Sequence, residues 1–126
     1  MNFTTEPLEP LRRNVPAEYY RNVLDNYKYK PDSQWPSLHG KITIDGEPRL
    51  VKFSLDGGIV TEIEICEISE TDTFVGISMS QRPKKFQKLL AQAGIKSAID
   101  IDGIDLEDHP VSFFIEGGKL ASICWK

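Results

Sequence analysis

From Leu38 onward, apolar and polar residues alternate along this 126-residue chain with a period of two, broken by one stretch of helical period. The alternation predicts a strand over 38–45 that ends at Asp45-Gly46. A second strand covers 48–55, where Leu50, Lys52 and Ser54 oppose Val51, Phe53 and Leu55. Asp56-Gly57-Gly58 turns the chain into a third strand over 59–66. There, Ile59, Thr61, Ile63 and Ile65 are expected on one face, and Val60, Glu62, Glu64 and Cys66 on the other. Asp-Gly between alternating runs is a strong hairpin signal, because both turn positions need a positive φ. A fourth strand is expected over 73–80 and a last hairpin over 111–116 and 119–125, around Gly117-Gly118.

Two segments read as helix. Over about 82–93, Phe86, Leu89, Leu90 and Ala93 fall at i, i+3, i+4 and i+7. Ser80 or Gln81 is expected to cap this helix, Pro83 to occupy its first turn and Gly94 to stop it. Over 16–27, Tyr20, Val23, Leu24 and Tyr27 share the same spacing, and Pro31 ends the pattern. This second helix sits in a segment, 1–39, that holds five of the eight prolines, all four tyrosines and Trp35. We therefore divide the chain into an N-terminal arm with a short helix, 1–39, and a single β-rich domain, 40–126. Residues 95–110 read as an acidic loop. The fold class is α+β, mainly β. It is a small OB-like β-barrel or twisted meander with one helix before a C-terminal hairpin. PH-like and cystatin-like arrangements share that element order.

Composition removes several function classes. Hydrophobic residues make up 40% and charged residues 27%, which suits one soluble globular domain. No apolar run approaches a membrane span, and no basic start followed by an apolar stretch suggests a signal peptide. Two cysteines, Cys66 and Cys124, are too few for a disulfide scaffold, so a cytoplasmic protein with free thiols is expected. Two histidines, both at strand starts, offer no Ser-His-Asp or Cys-His spacing, and no CxxC-type metal pattern exists. The acidic run 100–108 is not a calcium loop: its glycine is fourth, and the twelfth position is Val111. Gly57-Gly58 and Gly117-Gly118 lie between strands, whereas phosphate cradles lead from a strand into a helix. We expect no enzyme, no metal and no cofactor.

Charge is unevenly placed. Asp56, Glu62, Glu64, Glu67, Glu70 and Asp72 lie in 56–72 with no base among them. Arg82, Lys84, Lys85, Lys88 and Lys96 lie in 82–96 with no acid. The net charge of −4 and pI of about 5.2 exclude a globally basic nucleic-acid binder but leave room for a local basic face. Aromatic residues interleave with bases in the arm; Tyr20 and Tyr27 are expected to anchor it, while Tyr19, Tyr29 and Trp35 are the freer ones. Single-strand binders pair cationic grooves with flat stacking surfaces. The expected nucleic-acid-binding residues are thus Arg82, Lys84, Lys85, Lys88, Tyr29 and Trp35. The bland alternative is a solvated helix face and an arm anchored by its tyrosines. A different class of function uses the acids. Glu62, Glu64, Glu67, Glu70 and Asp72 would mimic nucleic-acid phosphates on an inhibitor or adaptor that docks on a basic protein partner.

The segment Arg82-Pro83-Lys84-Lys85-Phe86-Gln87-Lys88-Leu89-Leu90-Ala91-Gln92-Ala93-Gly94-Ile95, followed by Asp105-Leu106 and Pro110-Val111-Ser112-Phe113-Phe114-Ile115, resembles phage accessory proteins. These are OB-fold-like proteins of recombination and replication modules, in which a helix and polar loop precede a strand of this pattern. The resemblance covers the last third of the chain and transfers no binding residue. It implies a phage or bacterial protein that binds single-stranded nucleic acid or its processing machinery.

Overall fold

The structure, a computed structural model, describes residues 1–126. Strand β1 is Asn2–Phe3. Ala17–Tyr20 forms one 3-10 turn and leads into β2 (Asp25–Lys30), β3 (Ser37–Ile44), β4 (Glu47–Asp56) and β5 (Ile59–Ile65). Next come β6 (Thr73–Phe74), β7 (Ile77–Ser78) and the one α-helix, α1 (Pro83–Gln92). The chain closes with β8 (Ser97–Ile99), β9 (Gly103–Leu106), β10 (Val111–Glu116) and β11 (Lys119–Trp125).

Eight of these strands form one open sheet, ordered β2-β3-β4-β5-β11-β10-β9-β8, and every pairing in it is antiparallel. The protein is therefore mainly β, with a meander and a C-terminal hairpin joined in one sheet. Strands β2 and β8 end the strand order. The three turns Asp45-Gly46, Gly57-Gly58 and Gly117-Gly118 carry the positive φ values that two-residue hairpins need.

One sheet face is the core. Leu38, Ile42, Val51, Phe53, Ile63, Ile65, Phe113 and Ile123 point into it and are buried. A second layer covers that face. The small sheet β1-β6-β7 brings Phe3 and Phe74, and α1 brings Phe86 and Leu90. Ring contacts join the layers edge to face: Phe3 on Trp125, and Phe74 and Phe86 on Phe113. Leu11, Ala17, Tyr20 and Leu24 from the 1–39 segment belong to the same 25-residue cluster as the strands. β3 also runs across position 39, so arm and sheet share one core.

Four local expectations are corrected. Residues 16–27 are not an α-helix. After one 3-10 turn the chain enters β2, where Lys28 pairs with His39 and Tyr29 with Leu38. Tertiary hydrogen bonds override a weak helical stripe here. The Tyr20 hydroxyl donates to the Arg12 carbonyl and accepts the Arg12 N–H, both at 2.6 Å, which fixes the turn. Second, β5 does not alternate cleanly. Ser54 pairs with Glu62 but Leu55 pairs with Val60, so Thr61 is an extra residue, a β-bulge. The bulge turns Val60 into the core and leaves Ile59 exposed. Third, 73–80 is two short strands, reversed at Val75-Gly76, where both φ values are positive. Fourth, the acidic stretch after α1 holds β8 and β9. The Asp100 carboxylate accepts N–H bonds from Asp102 and Gly103 and closes their turn. Gly103 is required there, since a Cβ would lie 2.3 Å from the Phe113 carbonyl oxygen.

Helix α1 matches its expected span, but its ends differ in detail. Arg82, not Ser80 or Gln81, is the N-cap, and no side chain caps the helix. Gly94, at φ 82°, stops it. Phe86 and Leu90 are buried, Leu89 is half-buried and Ala93 is exposed.

Asp72 lies in the core, not on an acidic surface. Arg49 grips it with two hydrogen bonds, at 2.6 and 2.8 Å. Arg49 is 5% exposed and Asp72 0%. The Ser69 N–H at 2.8 Å, the Ser69 hydroxyl at 3.3 Å and the Met1 ammonium at 3.2 Å complete the carboxylate's partners. Burial pushes the Asp72 carboxyl up, but these bonds, Arg49 first, outweigh it and hold it below the ordinary range.

Two predictions follow from the packing. Leu90→Ala should lower stability by about 2–5 kcal/mol in urea unfolding, and Leu89→Ala by less, because only Leu90 is fully enclosed. Asp72→Asn should cost about 3–5 kcal/mol at neutral pH, since it leaves the Arg49 charge buried and unpaired. Because the folded carboxyl titrates low, its contribution is present above about pH 4 and is lost as pH falls through the folded value. Unfolding midpoints at pH 7 and pH 3 should therefore converge in Asp72→Asn relative to the parent.

Candidate nucleic-acid interface

The start of α1 gathers positive charge where a helix tolerates it least. Arg82 is the N-cap, Lys84 and Lys85 lie in the first turn, and Lys88 sits one turn on from Lys84. The first N–H groups of a helix already carry partial positive charge, so acids are favoured there and cations disfavoured. This helix has no acid in its first turn and no capping side chain. All four bases are exposed, and none takes part in an ion pair. Arg82 and Lys84 line an open groove of about 640 Å³, together with Asp100, Lys119 and the Gly117-Gly118 turn. Lys84, Lys88 and Lys96 line a smaller one of about 320 Å³ beside β8.

The two aromatic candidates are elsewhere. Trp35 is 78% exposed in the turn between β2 and β3. Tyr29 stands on β2, half-covered on the core side, with its ring 6.5 Å from that of Tyr27. Helix α1 packs on β7 and β8. Trp35 and Tyr29 thus stand at one end of the strand order and the basic helix at the other. They do not form one site.

Strand pairing creates a second basic surface that the sequence reading missed. Lys28, His39, Lys52, Glu64, Cys124, Ser112, Asp105 and Ala98 stand in register across all eight strands on the outer face. Lys41 and Lys30 flank this row on the same face, and Asp25 stands in register beside Lys41. None of these four lysines is in an ion pair. His39 reports their field. Partial burial lowers its pKa first, and Lys30, Lys52 and Lys28 lower it further. The only linear signal was the parity of four lysines spread over three strands, and register decides which of them meet.

The acidic candidates divide. Glu62 and Glu64 lie on the outer face, partly covered, beside Ser54 and Lys52. Glu67 is exposed, and its carboxylate accepts the Leu50 N–H at 3.0 Å. Glu70 is exposed, while Asp72 is consumed by Arg49. Cys66 and Cys124 are free, and burial pushes their thiols up to about 11 and about 12. Thiols so raised stay protonated and are poor nucleophiles at neutral pH. In the 100–108 run, the Ser112 hydroxyl and Lys126 hold the Asp105 carboxyl below its ordinary range. No three His, Cys, Asp or Glu side chains gather as a metal site.

By proton NMR, His39 should titrate below its ordinary value of about 6.5. Lys30→Ala and Lys52→Ala should each move the midpoint part of the way back, leaving the share due to burial. A midpoint above 6.5 in the parent would mean that this face is not cationic. No protein-family model, curated protein or solved structure matches the chain.

Proposed function

We propose that this chain is a small, non-enzymatic binding module for single-stranded nucleic acid, docking phosphates at the start of α1. The observation that carries the reading is the uncompensated charge there. Arg82, Lys84, Lys85 and Lys88 crowd the positive end of a helix that has no acid in its first turn and no capping side chain, and none of them is in an ion pair; Asp100 and Glu107 line the adjoining grooves but pair with none of the four. A bound polyanion relieves that repulsion, and the adjoining groove leaves room for a backbone. The reading retains the meander, helix and closing hairpin of the OB-like expectation and its setting among cytoplasmic phage or bacterial accessory proteins. Trp35 offers a stacking surface, but only to a strand that also reaches the β2 end.

Fluorescence anisotropy with a labelled oligonucleotide at low salt tests this. Affinity should fall with salt at a log–log slope of about −0.7 per phosphate contact, and replacing Lys84, Lys85 and Lys88 with Ala should flatten it by roughly two units. Trp35→Ala should weaken binding by about 1–3 kcal/mol with little change in slope if a base stacks on it. Absence of binding at tens of micromolar protein would sink the reading.

A second reading rests on Glu62, Glu64, Glu67 and Glu70, none of which is in an ion pair. They would dock on a basic protein partner, as an inhibitor or adaptor of a nucleic-acid enzyme does. Reversing Glu62 and Glu64 to Lys would then slow association by removing electrostatic steering, and the α1 lysines would have no effect.

A further inference from the structure

Only one edge of the large sheet is open. At the β8 end the last strand is three residues long, α1 packs beside it, and the Gln87 amide donates to the Ser97 carbonyl at 3.2 Å. At the other end β2 runs for six residues, all exposed except the half-buried Tyr27, and β3 is its only partner strand. Unpaired N–H and C=O groups along such an edge are a template for another strand.

Register shows which groups are unpaired. The Leu55 N–H donates to the Pro36 carbonyl, so the next pairs in step, Phe53 with Leu38 and Val51 with Gly40, exchange the bonds between β3 and β4. Ser37 and His39 therefore turn their backbone groups to β2, where Lys30 and Lys28 meet them. The Tyr29 N–H, the Tyr29 carbonyl and the Tyr27 carbonyl are left pointing away from the sheet.

Side chains decide what this edge accepts. Lys28 and Lys30 stand two residues apart on the outer face, and neither is in an ion pair. The acids of that face lie away from them: Asp25 is beside Lys41, Glu64 beside Lys52 and Glu62 beside Ser54. After burial, Lys30, Lys52 and Lys28 lower the His39 pKa, and no acid opposes them. A second copy of β2 fits badly. Antiparallel self-pairing centred on Lys28 sets that lysine against its equivalent, and centring on Tyr29 sets Lys28 against Lys30. Like charges directly opposite are destabilising. The same lysines attract a strand of opposite charge. On the core side the Tyr29 ring, 43% exposed and 6.5 Å from that of Tyr27, offers a flat surface to an apolar residue.

We infer that the free edge of β2 binds an extended acidic segment of a partner protein, which adds a strand to the sheet. The segment's backbone bonds to Tyr29 and to the Tyr27 carbonyl. Two of its Asp or Glu residues, two positions apart, lie beside Lys28 and Lys30, and the apolar residue between them packs on Tyr29. The docking uses no residue of α1, so its failure and that of the nucleic-acid reading are separately visible.

The probes are a capped, fluorescein-labelled peptide of alternating Glu and Val and its counterpart with Lys for Glu. In anisotropy at low salt the Glu peptide should bind, more weakly as salt rises, and the Lys peptide should not. Amide hydrogen exchange read by NMR should slow at Tyr29 by about tenfold or more at saturation, while the already paired Lys28 and Lys30 change little. Lys28→Glu combined with Lys30→Glu should weaken the Glu peptide by about tenfold or more and let the Lys peptide bind. The thermal midpoint should not move, because both side chains are exposed in the single chain. Replacing Lys84, Lys85 and Lys88 with Ala should leave peptide binding as in the parent. No binding at about 1 mM Glu peptide, or binding indifferent to the charge reversal, overturns the inference. So does a single-stranded oligonucleotide that displaces the peptide and itself slows exchange at Tyr29, or a Tyr29 N–H protected without peptide as the chain dimerises.

Discussion

A guanidinium and a carboxylate taken out of water together, Arg49 and Asp72, hold the second layer of this protein on the first. Arg49 sits on the core face of β4, in register with Ile42, where an apolar residue would be expected. Asp72 sits at the entrance to β6. Their paired hydrogen bonds therefore link the large sheet to the small one. Two bare charges at that depth would each cost several kcal/mol, so neither is tolerable without the other. The Asp72 backbone takes part as well, since its carbonyl accepts the Met79 N–H and its N–H bonds to Ser69. The segment 67–79 is fixed at both ends of β6–β7 in this way, and α1 follows directly from it.

That anchoring decides which surfaces remain free. The core face is closed by β1-β6-β7, α1 and the 3-10 turn, so function falls to what is left outside. One such surface is the start of α1, held over Phe113 by Phe86 and Leu90 with its cations turned outward. The other is the outer face of the sheet, where Lys28, Lys30, Lys41 and Lys52 gather on β2, β3 and β4. A net charge of −4 hides both, because it sums two local fields of opposite sign. The acidic run of the sequence loses its common identity on folding. Asp72 neutralises a buried arginine, Glu67 ties a neighbouring backbone N–H, and Glu62 and Glu64 remain on the face.

The linear pattern determined the hairpins at Asp45-Gly46, Gly57-Gly58 and Gly117-Gly118, the face that β4 buries, and the span of α1. Each depends on near neighbours: a turn on two residues with positive φ, a strand face on period two, a helix on its stripe and its stop. The basic character of α1 was legible for the same reason, since its charges lie within about two helical turns. What only the tertiary structure decided depends on partners distant in sequence. Val60 faces inward because Thr61 is an extra residue against β4, and no single-strand pattern records a bulge. Residues 25–30 are a strand because β3 supplies hydrogen bonds that outweigh a short helical stripe. Trp35 and Tyr29 part company with α1 because strand order, not composition, sets them at opposite ends of the sheet. Lys28, Lys41 and Lys52 become one surface only through register, where a shift of one residue would send them to the other face.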